Sequence, residues 1–171
     1  MNMPAILTRI LEGYRLPVRG CHGVTHWARV LENGLRLAEH TGANVEVVTL
    51  FALFHDSRRQ NDIWDPGQCF RGAQLALSLR GESLISLSDA DFKLLFHACE
   101  HHTEGRIDGD ITVQTCWDAD RLDLGRVGVW PHPAKLCTEA ARSTAMIDWA
   151  LARSQTALEP EFVRKTWKVE D

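Results

Sequence analysis

The chain has 171 residues, with 19 basic and 23 acidic side chains and a formal net charge of −4. That length is enough for one domain with a real core, and 44% hydrophobic with 25% charged residues is ordinary for a globular protein. A mildly acidic chain has no global attraction for nucleic acid or acidic membranes, so neither is an expected partner.

The start of the chain and its cysteines indicate the compartment. No positively charged start leads into an apolar segment, and no apolar run approaches the ~20 residues that cross a bilayer. The five cysteines are scattered without a Cys-x-x-Cys pair, so we expect reduced thiols that mostly fill the core. These features favour a cytoplasmic protein.

Apolar residues recur at helical spacing along nearly the whole chain, and no stretch alternates as a strand does. Gly13, Gly42 and Gly81 are stop signals, while Asn44 and Ser88 are good helix N-caps. The predicted helices cover about residues 4–12, 22–40, 45–56, 68–79, 89–102, 111–124, 134–154 and 161–167. We therefore expect an all-α fold, a single helical bundle of about six to eight helices spanning residues 1–171.

The third predicted helix ends in the segment LFALFHDSRR, residues 50–59, where an apolar run leads into His55-Asp56. Burying a His and an Asp costs free energy unless they are paired or bind a metal ion. Neighbouring helical residues point about 100° apart, so both can reach one ion only near a helix end. A buried His55 that hydrogen-bonds to its neighbour is the alternative interpretation.

Two other predicted helices offer partners for this pair. His22 and His26 are four residues apart on one helix and share a face. Asp118, Asp120 and Asp123 lie on different faces of another helix, so not all of them can point inward. One His, a His-Asp pair and one Asp from three helices can form a four-ligand metal site. Such a set of imidazoles and carboxylates suits borderline divalent ions.

The ordered pattern of His26, His55-Asp56 and Asp120 resembles the HD-domain superfamily of metal-dependent phosphohydrolases, and within it a small bacterial subgroup. The resemblance covers about residues 22–136, and its Ala-Asp-Arg-Leu segment selects Asp120 as the carboxylate ligand. It implies one divalent transition metal ion, which is Mn, Fe, Co, Ni or Zn. Such an ion activates water as a nucleophile and neutralises phosphoryl charge.

Two arginines and one more histidine are candidates for substrate contact. Arg58 and Arg59 directly follow the His-Asp pair, and guanidinium groups can bind phosphate bidentately, with Arg59 preferred as the catalytic contact. The arginine pair can also be a solvated helix end that favours the helix dipole. His22 shares a face with His26 and is expected to bind substrate or else to cap its helix.

A later helix ends in His101-His102, and a loop with two glycines follows. We expect His102 to be catalytic, a protonated imidazole that donates to the leaving oxygen of the substrate, and His101 to bind substrate. Exposed histidines at a frayed helix end are the alternative. Relatives with two metal ions carry extra histidines in this region. Here, however, Gln68-Cys69 replaces the His-Gly pair of the subgroup, so we expect one metal ion.

We therefore predict an enzyme, a metal-dependent phosphohydrolase of a small phosphate ester or nucleotide. A di-iron oxygenase of the same superfamily is an alternative, but it requires six protein ligands and Gln68 counts against it. A non-catalytic regulatory domain is another, because a helical metal site can simply stabilise a core. Arg59-Gln60 replaces the acidic residues of the guanosine-tetraphosphate hydrolases, so that substrate is not expected. The sequence leaves a homodimer open.

Overall fold

The computed structural model describes residues 2–169, and these residues form nine α-helices and two short 3₁₀ segments without a β-strand. The all-α prediction is confirmed. None of the described helices is long and apolar enough to cross a membrane. The helices are α1 Met3–Glu12, α2 Val24–Thr41, α3 Val45–Phe54, α4 Gln68–Gly81, α5 Asp89–His101, α6 Ile111–Arg121, α7 Glu139–Arg142, α8 Thr144–Gln155 and α9 Phe162–Lys165, with 3₁₀ segments at Leu122–Val127 and Pro133–Lys135.

Helix α2 is central to the fold and packs against both α3 and α6. Its buried face includes Trp27, which is fully shielded from solvent. α2 and α3 approach each other closely at Gly34, where an added Cβ would lie 2.4 Å from Cγ1 of Val48. Only a residue without a side chain allows this approach. The packing of these two helices sets the first turn of α2 beside the end of α3.

Helix α3 is apolar on nearly every side, and most of its residues are buried. Asn44 caps it, since its side chain accepts hydrogen bonds from the backbone N–H groups of Glu46 and Val47. The helix ends at Phe54, whose carbonyl oxygen would lie 2.3 Å from a Cβ added at Gly72 of α4. α4 therefore packs directly over the end of α3 and encloses the polar residues that follow it.

The single helix predicted over residues 134–154 is wrong, because a buried carboxylate competes for its backbone. Asp118 accepts hydrogen bonds from the backbone N–H groups of Cys137 at 2.7 Å and Thr138 at 2.8 Å. The hydroxyl of Thr138 also donates to it at 2.8 Å. The chain is extended there, and Thr138 and Ser143 then cap the separate helices α7 and α8. This break raises the helix count above the predicted range.

Candidate metal centre

Four side chains from three helices converge in the interior of the bundle. His26 lies in the first turn of α2, His55 and Asp56 directly follow α3, and Asp120 lies near the end of α6. His26 Nε2 is 3.0 Å from His55 Nε2, 3.6 Å from Asp56 Oδ2 and 3.4 Å from Asp120 Oδ1. His55 Nε2 is 3.6 Å from Asp56 Oδ2 and 3.8 Å from Asp120 Oδ1.

These spacings match those of ligands that share one ion. With bonds of ~2.0–2.3 Å, neighbouring ligand atoms on a transition metal lie about 3–4 Å apart. His26, His55 and Asp56 are buried, and their ligand atoms are close enough together to hold a metal ion. Asp120 Oδ1 is buried without a hydrogen-bond partner. An oxygen in that state is costly to bury unless something else compensates its charge.

The two imidazole rings are oriented by their other nitrogens. His26 Nδ1 is 2.7 Å from Asp123 Oδ2, and His55 Nδ1 is 3.1 Å and 3.2 Å from the carbonyl oxygens of Phe51 and Ala52. Because all these partners are acceptors, each Nδ1 carries a hydrogen and each Nε2 presents a lone pair. Two lone pairs 3.0 Å apart repel unless a cation or an extra proton lies between them. The residues therefore fit a metal ion.

The pKa shifts of His55, Asp56 and Asp120 favour the protonation states that metal ligands require. Burial lowers the pKa of His55 to about 4, although the charges of Asp56 and Asp120 oppose that shift. Burial alone would raise the pKa of Asp56, but His55 and the other imidazoles around it hold that pKa well below its usual value. The pKa of Asp120 is also lowered, because His55 and Arg126 outweigh the effect of burial. Neutral imidazoles and ionised carboxylates bind metal ions without first losing protons.

Asp123 orients the ring of His26 but is not one of the four converging side chains. Arg29 donates to both of its oxygens, from Nε at 2.7 Å and from Nη2 at 3.0 Å, while His26 Nδ1 faces one of them. Burial alone would raise the pKa of Asp123, but His26 and Arg29 lower it. A carboxylate on the far nitrogen of a ligand histidine is the usual way to fix that ring. No sequence pattern indicated this role, although Arg29 and Asp123 each follow a predicted ligand by three residues.

A third buried imidazole, that of His102, faces the other oxygen of Asp56. His102 Nε2 lies 3.6 Å from Asp56 Oδ1, and its Nδ1 donates to the carbonyl oxygen of Cys99 at 2.7 Å. Gln68 lies between them: with its amide nitrogen toward Asp56 it donates to Oδ1 at 3.0 Å, and its oxygen accepts from His102 Nε2 at 3.1 Å. Burial alone would lower the pKa of His102, but the hydrogen bond to Asp56 raises it.

A cleft of about 260 Å³ leads from solvent to the cluster. Arg59 Nη1 is 3.5 Å from Asp56 Oδ1, and Arg126 Nη2 is 3.9 Å from Asp120 Oδ1. Arg126 was not among the predicted site residues, and it lies in the 3₁₀ segment after α6. The cleft is lined by His22, Asp56, Arg59, His102, Thr103, Gly105, Asp120, Arg121, Leu124 and Arg126.

His22 lines this cleft, but not from the position that was predicted. The helix begins at Val24, so His22 lies in the preceding turn rather than on the helix with His26. Its ring still approaches that of His26, with 6.4 Å between the centroids. His22 Nδ1 pairs with Asp62 Oδ1 at 2.8 Å. Burial is the main cause that lowers the pKa of His22.

Two predicted substrate contacts, Arg58 and His101, do not line the cleft. The guanidinium of Arg58 donates to the carbonyl oxygens of Arg9 and Ile10 at the end of α1. Those last carbonyls of a helix lack partners within it, so Arg58 is engaged in packing α1 onto the bundle. The ring of His101 lies beside Glu104, with 2.7 Å between His101 Nδ1 and Glu104 Oε1. The structure thus places neither side chain at the cleft, and the substrate-binding role of each stays a prediction.

Comparisons with known proteins gave no match to this chain, whether with family profiles, curated proteins or solved structures. Membership of the HD-domain superfamily therefore stays a prediction. What the structure contributes is the convergence of the four residues on which that prediction rests.

Proposed function

We propose that this chain is a metal-dependent phosphohydrolase that cleaves a small phosphate ester. His26, His55, Asp56 and Asp120 are the proposed ligands of its metal ion. The observation that carries this proposal is the pair of imidazole Nε2 atoms 3.0 Å apart, beside the buried and unpartnered Oδ1 of Asp120. A divalent transition metal bound there supplies a water nucleophile at neutral pH and neutralises charge on the phosphoryl oxygens.

Two arginines support a phosphate as the substrate group. Arg59 and Arg126 enter the cleft from different segments, one beside Asp56 and the other beside Asp120. Arg59 is held by the loop that follows it, since its Nε and Nη2 donate to the carbonyl oxygens of Asn61 and Ile63. Its Nη1 is the atom nearest the cluster. Two guanidinium groups at the cleft match the charge of a phosphate dianion and can bind it bidentately.

His102 supplies the proton donor of the proposal. Its Nδ1 hydrogen is engaged with Cys99, so the Nε2 hydrogen faces Asp56 and Gln68 at the floor of the cleft. A positively charged imidazole at that position stabilises charge on the phosphoryl group, and donation to the leaving oxygen requires the Nε2 hydrogen to exchange Gln68 for that oxygen. Gln68 fills the space between Asp56 and His102, which favours one metal ion over two.

The cleft also bears on the size of the substrate. At about 260 Å³ it admits a phosphate and a small alcohol portion, and it shares Gly105, Arg121 and Leu124 with a neighbouring cavity of about 320 Å³. With a net charge of −4, the chain offers no general attraction to a polyanion. A phosphomonoester, including a mononucleotide, is the substrate class we propose.

The test is metal analysis of protein purified without chelators, followed by a panel of phosphate esters under air and under nitrogen. We expect one divalent ion bound at these four ligands and phosphate release that does not require oxygen. Chelation should abolish release, and adding back Mn²⁺, Co²⁺ or Ni²⁺ should restore it. Oxygen-dependent turnover with two irons would identify an oxygenase instead. Bound metal with no activity on any ester would favour a regulatory domain.

A further inference from the structure

A second cluster of metal-ligating side chains lies at the rim of the cleft. Cys21 Sγ is 3.1 Å from His22 Nδ1 and 3.4 Å from Asp62 Oδ1, and His22 Nδ1 is 2.8 Å from Asp62 Oδ1. One sulfur, one nitrogen and one oxygen thus face a common point. They come from two segments, the turn before α2 and the loop after α3. The proposed hydrolysis does not use this arrangement.

The spacing of these atoms is close to that of a zinc site. With Zn–S bonds of ~2.3 Å and Zn–N or Zn–O bonds of ~2.0–2.2 Å, tetrahedral ligand atoms lie about 3.4–3.6 Å apart. The observed distances of 3.1, 3.4 and 2.8 Å are slightly shorter, as expected when hydrogen bonds occupy the place of an ion. Cys21 and Asp62 are exposed, so both can move outward by a few tenths of an ångström.

The backbone that carries the cluster is fixed independently of any ion. In the turn before α2, the N–H of Gly23 donates to the carbonyl oxygen of Gly20 at 3.0 Å. Arg126 Nε donates to the carbonyl oxygen of Cys21 at 2.9 Å. In the loop after α3, the N–H of Ile63 donates to Asn61 Oδ1 at 2.9 Å. The donors are therefore held near one another before binding, which reduces the entropic cost of closing the site.

The charges of the donor set also suit a divalent ion. On binding, the Cys21 thiol gives up its proton to solvent, so a thiolate and the Asp62 carboxylate together balance two positive charges. His22 completes the set as a neutral imidazole, and a thiolate favours Zn²⁺ over Mg²⁺ or Ca²⁺. Three protein ligands leave a fourth position for water or for a group of the substrate.

We propose that Cys21, His22 and Asp62 form a second metal site, specific for a thiophilic divalent cation of the Zn²⁺ class. An ion bound there joins the turn before α2 to the loop after α3, across the rim of the cleft. The site is separate from the proposed catalytic centre, which has no sulfur ligand. Its existence does not depend on the proposed function.

The test is titration of the chelator-treated full chain with Co²⁺, because a thiolate bound to Co²⁺ gives a charge-transfer band in the near ultraviolet. We expect this band in the wild-type chain and its complete loss in Cys21→Ser. Cys69→Ser is the matched control, since Cys69 Sγ lies 3.2 Å from the hydroxyl of Thr103, which lines the cleft. The control should retain the band. Loss of the band in Cys69→Ser but not in Cys21→Ser would overturn the proposal.

Two further variants separate this site from the catalytic centre. Asp62→Asn should weaken Co²⁺ binding in the band titration, because the amide cannot replace the carboxylate charge. His55→Ala should leave the band unchanged while it abolishes metal-dependent hydrolysis. Zn²⁺ stoichiometry should fall from two ions to one in Cys21→Ser. An unchanged stoichiometry, or no band in the wild-type chain, would overturn the second site without bearing on the first.

Discussion

The Nε2 atoms of His26 and His55 face each other at 3.0 Å, although His26 lies in α2 and His55 directly follows α3. Each ring donates its Nδ1 hydrogen to an acceptor held by the fold, so both Nε2 lone pairs point to the same place. The low pKa of His55, about 4, disfavours an extra proton between the rings at neutral pH. The two nitrogens are close enough to hold a metal ion together with Asp56.

Removing either residue of the His-Asp pair should remove the metal ion. His55→Ala or Asp56→Ala removes one of the four proposed ligands from a buried site. We expect loss of the ion at that site and loss of phosphate hydrolysis. Elemental analysis and phosphate release measure the two effects. Because the ion links three helices, chelation of the wild-type chain should also lower its Tm. A variant that loses hydrolysis but keeps full metal occupancy would contradict the ligand assignment.

Asp118→Asn is the matched control and should behave in the opposite way. Asp118 binds the backbone of Cys137 and Thr138, not the metal cluster. An asparagine cannot accept all three hydrogen bonds equally well, so the free energy of unfolding should fall by about 1–3 kcal/mol. Metal content per folded chain should stay unchanged. Urea unfolding and metal analysis test the two statements, and equal metal loss would show that the wrong carboxylate was chosen.

Asp123→Asn should weaken metal binding without removing a ligand. The side chain fixes the ring of His26 and is itself held by Arg29, so the change loosens the ligand and leaves Arg29 without its anion. Loss of such a supporting carboxylate typically reduces metal affinity by about 10–100-fold. Competition with a chromophoric chelator measures the metal Kd. An unchanged Kd would mean that the orientation of His26 is set by the helix alone.

His102→Ala should slow catalysis while it leaves the metal in place. Loss of a positioned proton donor typically lowers the rate by about 10²–10⁴-fold, and we expect this effect on kcat. Metal content should stay equal to that of the wild-type chain, because His102 is not a proposed ligand. If the substitution removes one ion in a chain that also carries Cys21→Ser, His102 is a ligand and a two-metal centre bridged by Asp56 replaces the single-metal proposal.

Arg126→Ala and Arg58→Ala form a pair with opposite expected effects. Arg126 faces the cleft beside Asp120, so its loss should raise KM for a phosphate ester and reduce kcat/KM. Arg58 is bound to the end of α1, so its loss should reduce stability by about 1–2 kcal/mol and leave kcat/KM unchanged. Steady-state kinetics and thermal unfolding separate the two. A larger loss of kcat/KM from Arg58→Ala than from Arg126→Ala would identify Arg58 as a substrate contact.

The sequence by itself determined the helical class and the positions from which the cluster is built. Helical spacing of apolar residues fixes which face of each segment is buried. A polar residue on such a face, such as His26 or Asp120, needs a hydrogen-bond partner or an ion in the interior. The same reason made His55-Asp56, at the end of an apolar helix, a candidate site. The capping role of Asn44 is also local, since its side-chain oxygen accepts from backbone N–H groups two and three positions later.

Tertiary structure alone decided which distant groups meet. Arg29 and Asp123 are 94 residues apart, and nothing in the local pattern of either one specifies the other. Arg58 and Arg59 are neighbours in sequence, yet one binds the end of α1 and the other faces the cleft, because adjacent side chains point in different directions. Asp118 breaks a predicted helix only because the fold brings it to that backbone. Such contacts depend on the positions and angles at which the helices pack, and the helical periodicity of the sequence does not specify these.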